Sequence, residues 1–402
     1  MLLACRYLER RRNRGLEAHT FWLWMVHFMQ KTDVIVVGGG LVGMAIAYGL
    51  ACRDMTVRVI DEGDEAFRAA RGNFGLVWVQ GKGVGKPSYA QWTRNSAALW
   101  PVLAKDLFAE TGVDVQLQQP GGYQLCLSDD EMVEETRRLH WLSDALGNYP
   151  FEELSRAELL KRLPGIGPEV VGACYSPMDG HVNPLKLLYA LHAGAQRRGV
   201  ILSAGRHVTD IVHGSTGFEL RTSEERWKSE KLVLAAGLGN RILGSKVGLN
   251  IPVRPNRGQI LVTERLERFL TVPTTYVRQT DEGTVQLGDS LESVGFNDLS
   301  TTSVMGELAR RAVSCFPRLA SVNVVRAWGA LRVLSPDGYP IYQHSPVCPG
   351  AFAVTCHSGV TLAAVHARVI APWIAGSTAP LELSEFSHDR FAAVDLEAAY
   401  VH

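Results

Sequence analysis

The stretch from Asp33 to Glu62 leaves this chain few folds to adopt. Asp33-Val34-Ile35-Val36-Val37 is a nearly continuous apolar run, as expected of a parallel strand covered on both faces. It leads directly into Gly38-Gly39-Gly40-Leu41-Val42-Gly43, which satisfies G-x-G-x-x-G, and Val42, Ala45, Ile46 and Gly49 or Leu50 then recur at helical spacing. A second strand, Thr56 to Ile60, ends at Asp61 and Glu62. Each part has a task in holding a dinucleotide. Gly38 makes the tight turn, Gly40 lets the backbone approach a pyrophosphate, and Gly43 lets the helix pack on the strand. The helix N-terminus offers unpaired N–H groups and partial positive charge to the phosphates. The acid at the end of the second strand is placed to accept hydrogen bonds from ribose hydroxyls. A glycine turn alone is common. Strand, turn, helix, strand and acid in this order specify a dinucleotide, without separating FAD from NAD.

The rest of the chain supports one large interleaved architecture. At 402 residues it is too long for one small core. Val200 to Val212 reads as strands broken by Gly205, and Phe218 to Leu220 alternates as a strand. Lys231 to Gly237 reads as a buried strand whose small final residues, Ala235, Ala236 and Gly237, let a ligand come close. Asn183-Pro184 should cap a helix from Leu185 to Arg198. Glu131 to Leu146 and Glu152 to Arg162 are charged and amphipathic, hence helical, with Pro164 as a stop. From Ile251 to Gly295 the pattern alternates and is rich in turns, as in an antiparallel sheet. The expected fold class is α/β, α+β overall: a Rossmann-like cofactor domain (33–90, 176–250 and 326–376) interleaved with an antiparallel-sheet substrate domain (91–175 and 251–325). Residues 1–32 would be an extension outside the fold and 377–402 a tail.

Composition narrows the function. Net charge is zero, so nothing draws nucleic acid or an anionic membrane over long range. The seven cysteines are scattered without a C-x-x-C, which argues against a disulfide framework and a structural zinc or iron–sulfur site. No metal and a cytoplasmic location are expected. Arg6, Arg10, Arg11, Arg12 and Arg14 precede a short apolar run, Phe21 to Met29. That run is far shorter than the ~20 residues that span a bilayer, and no small-x-small cleavage site follows it. The preferred expectation is a true start at Met25 or Met29, with membrane contact at most peripheral.

Seven segments carry a family likeness: GGGLVGMAIA (38–47), RGNFG (71–75), GHVNP (180–184), VLAAG (233–237), RGQI (257–260), WGALRVLSPDGYP (328–340) and CHSGVTLAA (356–364). In this order, from Asp33 to about Gly376, they resemble the D-amino acid oxidase superfamily, in its glycine oxidase and sarcosine oxidase-like branch. The resemblance, and not the glycine spacing, implies FAD. RGNFGLVWVQGKG and CHSGVTLAA look like the β subunits of bacterial opine oxidases, hydrogen cyanide synthase and D-hydroxyproline dehydrogenases. In such complexes the β subunit carries the FAD and the amino-acid site, and works with an α subunit and a small iron–sulfur subunit. The implied activity is oxidation of the C–N bond of a small amino or imino acid (D-hydroxyproline, an opine, proline, sarcosine or glycine). Hydride would pass from Cα to flavin N5 in a dehydrogenase complex. Two alternatives stay open: a stand-alone oxidase reducing oxygen to hydrogen peroxide, and a flavin-binding electron-transfer or scaffold subunit with no substrate site of its own. An NAD-dependent dehydrogenase leaves VLAAG and CHSGV unexplained.

The same resemblance assigns site residues. Arg332, in ALRVLSPDGYP, would pair with the substrate carboxylate, which a guanidinium grips by two parallel hydrogen bonds. Tyr276 and Arg278 are two apart on an expected strand and would face one pocket. His357 is a candidate general base, although a structural histidine is the plainer reading. Ser358, Gly359, Val360 and Thr361 would lie against the flavin, their N–H groups and the following helix end favouring negative charge on the reduced ring. Arg71, Asn73, Phe74, Gly75 and Leu76 would wrap the ring and pyrophosphate, and Val208 would meet the adenine through its backbone. Leu41, Val42, Ala236 and Gly237 complete the cofactor set. Trp78 and Trp328 either shape the pocket or pack the core. Sarcosine oxidases tether flavin through a cysteine or histidine; around Ala330 and Arg71 to Gly72 there is neither, so non-covalent FAD is expected. Where those oxidases place an oxygen-activating lysine, an approximate alignment gives Gln286, which tilts the reading towards a dehydrogenase.

Overall fold

The computed structural model describes residues 31–63, 69–288 and 290–392. The arginine-rich stretch, the expected start at Met25 or Met29 and the end of the 377–402 tail lie outside the described residues.

Lys31–Val37 sits inside an open sheet, paired in parallel with Val57–Asp61 on one side and Arg226–Leu234 on the other. Across the sheet the order is Ile341–His344, Ala351–Thr355, Arg226–Leu234, Lys31–Val37, Val57–Asp61, Ile201–Ala204. All neighbours are parallel except the outermost Ile341–His344 strand, and the hairpin of Asp210–Gly214 and Gly217–Arg221 adds antiparallel to Arg226–Leu234. The apolar run is explained by burial on both faces. Val34 and Val36 join the core formed with helices Leu41–Ala51, Pro87–Thr111 and Pro184–Arg197. Ile35 and Val37 join a second core with Phe218, Trp227 and Leu243. The Pro184–Arg197 helix starts as the sequence indicates: Asn183 accepts from the amides of Leu185 and Lys186.

A four-stranded antiparallel sheet forms the other half, in the order Val277–Gln279, Thr284–Leu287, Arg254–Arg265, Val324–Leu334. A three-stranded sheet of Gly122–Cys126, Gly172–Ser176 and Glu152–Ser155 shares its apolar core, together with helix Thr302–Cys315. Three local expectations need amending. Glu152–Ser155 is a strand, and the helix begins only at Arg156, where Ser155 and Glu158 form a reciprocal capping box. Val324–Leu334 pairs along its length with Arg254–Arg265, so residues 326–334 belong to the antiparallel sheet. Helix Pro87–Thr111 buries Trp92, Trp100, Leu103 and Leu107 in the core of the parallel sheet. No helix among the described residues is long and apolar enough to cross a membrane. No group of three or more His, Cys, Asp or Glu among them could hold a metal ion.

Candidate active site

The glycine turn is held by backbone contacts that leave no room for side chains beneath it. Gly38 has φ +112° and donates to Ile60 O, while Ala235 N donates to Val37 O, both at 2.8 Å. A Cβ on Gly38 would stand 2.3 Å from Ala235 O, and one on Gly43 would meet Gly38 O. Above the turn the situation reverses: a Cβ on Gly40 would reach nothing nearer than Ala70, at 3.8 Å. Gly39 is fixed on both sides, its N–H donating to Asp61 Oδ2 at 2.6 Å and its carbonyl accepting from His192 Nε2 at 3.0 Å. The turn is closed below and open above, which fits a bound pyrophosphate.

A cavity of about 310 Å3 opens there, at the carboxyl ends of the parallel strands. It is lined by Gly38, Gly40, Leu41, Val42, Asp61, Glu62 and Val208, then by Ala236 and Gly237. Asn73, Phe74 and Leu76 line it too, as do Arg332, His357 and the turn from Ser358 to Thr361. Residues distant in sequence are thus brought to one space. Buried Asn240 joins the ends of two strands: it accepts from Ala236 N and donates to Leu234 O and Val354 O. Gly43 lies beneath the turn as packing. Gly75, at φ +93°, lines neither this cavity nor the adjoining one; it shapes the wall by accepting from Val182 N, while Asn73 Oδ1 takes its amide proton. Arg71 lines the adjoining cavity.

Arg332 projects from Val324–Leu334 across the backbone of Gly258, where a Cβ would collide with its guanidinium. It donates to Ser290 O and, at 3.3 Å, to Asn256 Oδ1, and burial pushes it down to about 10, still charged at neutral pH. His357 is held down to about 3, first by burial and then by the Arg332 and Lys82 charges. The ring is neutral at physiological pH and adds no third positive charge to the wall. Gly72 and Ala330 touch so closely that a Cβ on Gly72 would overlap the Ala330 methyl. Cys356 also lines the cavity, its thiol pushed up to about 12 by burial and hence kept protonated. A thiol so hard to ionise is a poor nucleophile.

Two placements depart from expectation. Tyr276 does not line the cavity. The amide and hydroxyl of Thr274 both donate to Val277 O, so 274–277 is a turn and strict alternation does not reach Tyr276. Its ring packs on the antiparallel core under Arg311, whose guanidinium carbon is 4.1 Å from the ring centroid. Arg278 lines the adjoining cavity and is bonded to Gln286, the position expected to replace a lysine. The residue that sequence reasoning missed is Lys82. Its Nζ donates to Ser358 Oγ at 2.6 Å and Thr361 Oγ1 at 3.3 Å, on the turn that meets the cavity. Burial pushes it down to about 8, with only partial offset from the buried Asp179 carboxylate. The available signal was the pair of flanking glycines, Gly81 at φ +72° and Gly83 at φ +83°, which mark a tight turn.

The comparisons with known proteins agree with this geometry. The family model for FAD-dependent oxidoreductases of the DAO type matches residues 33–373. An opine oxidase subunit from Agrobacterium tumefaciens (strain Ach5) is 44% identical over 367 residues, covering 91% of this chain and 99% of that protein. Hydrogen cyanide synthase subunit HcnC of Pseudomonas protegens is 27% identical over 412 residues, covering 91% of this chain and 97% of the relative. The crystal structure of glycine oxidase from Geobacillus kaustophilus superposes with a TM-score of 0.83 at 26% identity, covering 89% and 98% of the two chains. With its closed-below, open-above glycine turn and this family match, the chain belongs to the DAO family of FAD-dependent oxidoreductases.

Proposed function

We propose that this protein oxidises the C–N bond of a small amino or imino acid, as the FAD-bearing subunit of a dehydrogenase complex. The observation that carries the reading is Arg332, a charged guanidinium on the wall of the same cavity as the 356–361 turn and the glycine turn. When bound, FAD supplies an acceptor for the hydride that leaves the substrate Cα. The protein's own task is to hold the carboxylate on Arg332, present Cα, and favour negative charge on the reduced ring. Gly38, Gly40, Leu41, Val42 and Asp61 would hold the pyrophosphate and ribose, with Glu62 and Val208 at the adenine end. Asn73, Phe74, Leu76 and residues 358–361 would face the ring. The poorly basic His357 is assigned a shaping role. The protonated Cys356 and the Gly72–Ala330 contact support non-covalent FAD. The parallel sheet serves as the cofactor domain and the two antiparallel sheets as the substrate domain. Free, buried Cys126, Cys174 and Cys315 support a reducing, cytoplasmic location.

Lys82 is assigned the stabilisation of negative charge on the ring side of Ser358 and Thr361. Below about pH 8 its ammonium is present and offers that stabilisation; above, the neutral amine does not. A charge-assisted hydrogen bond is worth ~1.5–3 kcal/mol, equivalent to about 30–60 mV for a two-electron couple. Lys82→Met should therefore lower the flavin midpoint potential by about 30–60 mV at pH 7. The difference should shrink as pH rises past 8, as spectroelectrochemical titration of both proteins would show.

The complex is supported by the word "subunit" in the names of both relatives; the dehydrogenase reading keeps the approximate alignment that gives Gln286 where sarcosine oxidases place a lysine. Turnover of the isolated chain with an artificial dye, compared with peroxide release in air, tests this. Dye reduction with little peroxide is expected; peroxide formed at the rate of dye reduction would favour the stand-alone oxidase.

A further inference from the structure

Ser358 lines the cofactor cavity, and its neighbours occupy its hydroxyl oxygen while leaving its proton unused. A hydroxyl oxygen has two lone pairs and one proton to place. Lys82 Nζ donates to Ser358 Oγ at 2.6 Å and the Tyr89 hydroxyl donates to it at 3.1 Å, which takes up both lone pairs. Neither donor can reverse its part. The Lys82 ammonium has no lone pair to offer, and Tyr89, only 5% exposed, has Ser358 as its one hydrogen-bond partner among the described residues. Burial pushes the Tyr89 phenol up, so it keeps its proton at neutral pH. The ring is held on the first turn of Pro87–Thr111, with its centre 5.1 Å from that of Tyr339 and 6.3 Å from that of Phe386. Thr361, on the same turn as Ser358, makes the contrast. Its Oγ1 accepts from Trp78 N at 3.1 Å and from Lys82 Nζ at 3.3 Å, and donates to Leu76 O at 3.3 Å. Thr361 is therefore satisfied within the protein, whereas the proton of the 8% exposed Ser358 meets no acceptor among the described residues. A buried donor without an acceptor is costly unless a ligand supplies one.

We propose that the Ser358 hydroxyl donates a hydrogen bond to the bound flavin ring, and that Tyr89 is the positioning residue that holds it in that direction. The inference rests on the placement of the ring against residues 358–361 and goes further by adding a neutral side-chain donor and its support. The flavin ring offers carbonyl oxygens and ring nitrogens as acceptors. A donor to it strengthens as the ring gains negative charge, so it favours the reduced over the oxidised cofactor. Tyr89 does not line the cavity and acts only through the serine. Without its phenol one lone pair of Ser358 is released, and the hydroxyl is free to rotate about its C–O bond.

The test is the flavin midpoint potential of the FAD-loaded protein at pH 7, measured without substrate. A hydrogen bond to a charged group changes an equilibrium constant by roughly tenfold or more. Ser358→Ala should therefore lower the potential by about 30 mV, the equivalent of tenfold for a two-electron couple. Tyr89→Phe keeps the packed ring and removes only the phenol, so it should lower the potential by a part of that shift. The Tyr89→Phe, Ser358→Ala double variant should match Ser358→Ala alone, because Tyr89 has no other route to the cofactor. Tyr89→Phe decides the matter if Ser358→Ala does not retain FAD. A Tyr89→Phe potential equal to that of the unmodified protein, or shifts that add in the double variant, would overturn the positioning role. A shift with Lys82→Met and none with Ser358→Ala would overturn the serine donor while leaving the ring against the 358–361 turn. No shift with either would remove that placement and the inference with it.

Discussion

Gly38→Ala should yield a protein that purifies without the yellow colour of bound flavin. The added methyl would lie 2.3 Å from Ala235 O and 2.7 Å from its carbonyl carbon, at a φ of +112° that L side chains rarely adopt. Neither side can yield easily, because the strands on both sides of Lys31–Val37 are locked in parallel register with it. Strain of this kind costs ~1–3 kcal/mol before the steric overlap is added. The turn must shift, and its N–H groups leave the pyrophosphate. Affinity for FAD should fall by at least about 10^3-fold, which is ~4 kcal/mol, read by titration against the quenching of flavin fluorescence. Gly40→Ala makes the informative contrast. Its methyl would meet nothing nearer than Ala70, at 3.8 Å, so the apoprotein should melt normally while FAD binding weakens. A yellow Gly38→Ala protein of unchanged affinity would contradict the account of the turn.

Arg332→Met should retain FAD but lose its hold on the substrate. Truncating one partner of a desolvated charge pair costs ~2–5 kcal/mol. At ~1.4 kcal/mol per tenfold, the half-saturating substrate concentration should rise by about 30- to 4000-fold. Arg332→Lys should recover only part of this, since an ammonium cannot make two parallel hydrogen bonds to a carboxylate. The flavin spectrum checks that the cofactor site survives, and substrate titration under anaerobic conditions reads the loss. The scaffold alternative expects no change in that titration.

What the sequence made legible was local. The run from Asp33 to Asp61 needs only period, glycine chemistry and a terminal acid, and it folds as read. The Asn183 cap and the apolar Lys231 to Leu234 run are equally local signals, although the strand starts earlier, at Arg226, and ends at Leu234, before the small residues expected to finish it. Short elements were ambiguous. Glu152–Ser155 is too brief for its period to show, and its strand character comes from pairing with Gly172–Ser176. The site residues that escaped notice depend on contacts far apart in the chain. Lys82 matters because it meets Ser358 and Thr361, and no spacing in the sequence encodes that meeting. Tyr276 and Arg278 looked alike as neighbours on one expected face; the turn at Thr274 and the Arg311 guanidinium stacked over the Tyr276 ring separate them. Burial of Arg278 against Gln286 and His181 is likewise a property of the assembled sheets, and no pattern of residue types announces it.

The central claim is that an amine bearing a carboxylate delivers electrons to the FAD held on the Gly38 to Gly43 turn. Mixing the FAD-loaded protein, without oxygen, with a panel of proline, D-hydroxyproline, sarcosine, glycine and imino diacids tests it most directly. The visible flavin band should bleach with at least one member of the panel and should resist the same concentration in Arg332→Met. A flavin that dithionite reduces but no member of the panel bleaches would contradict the account.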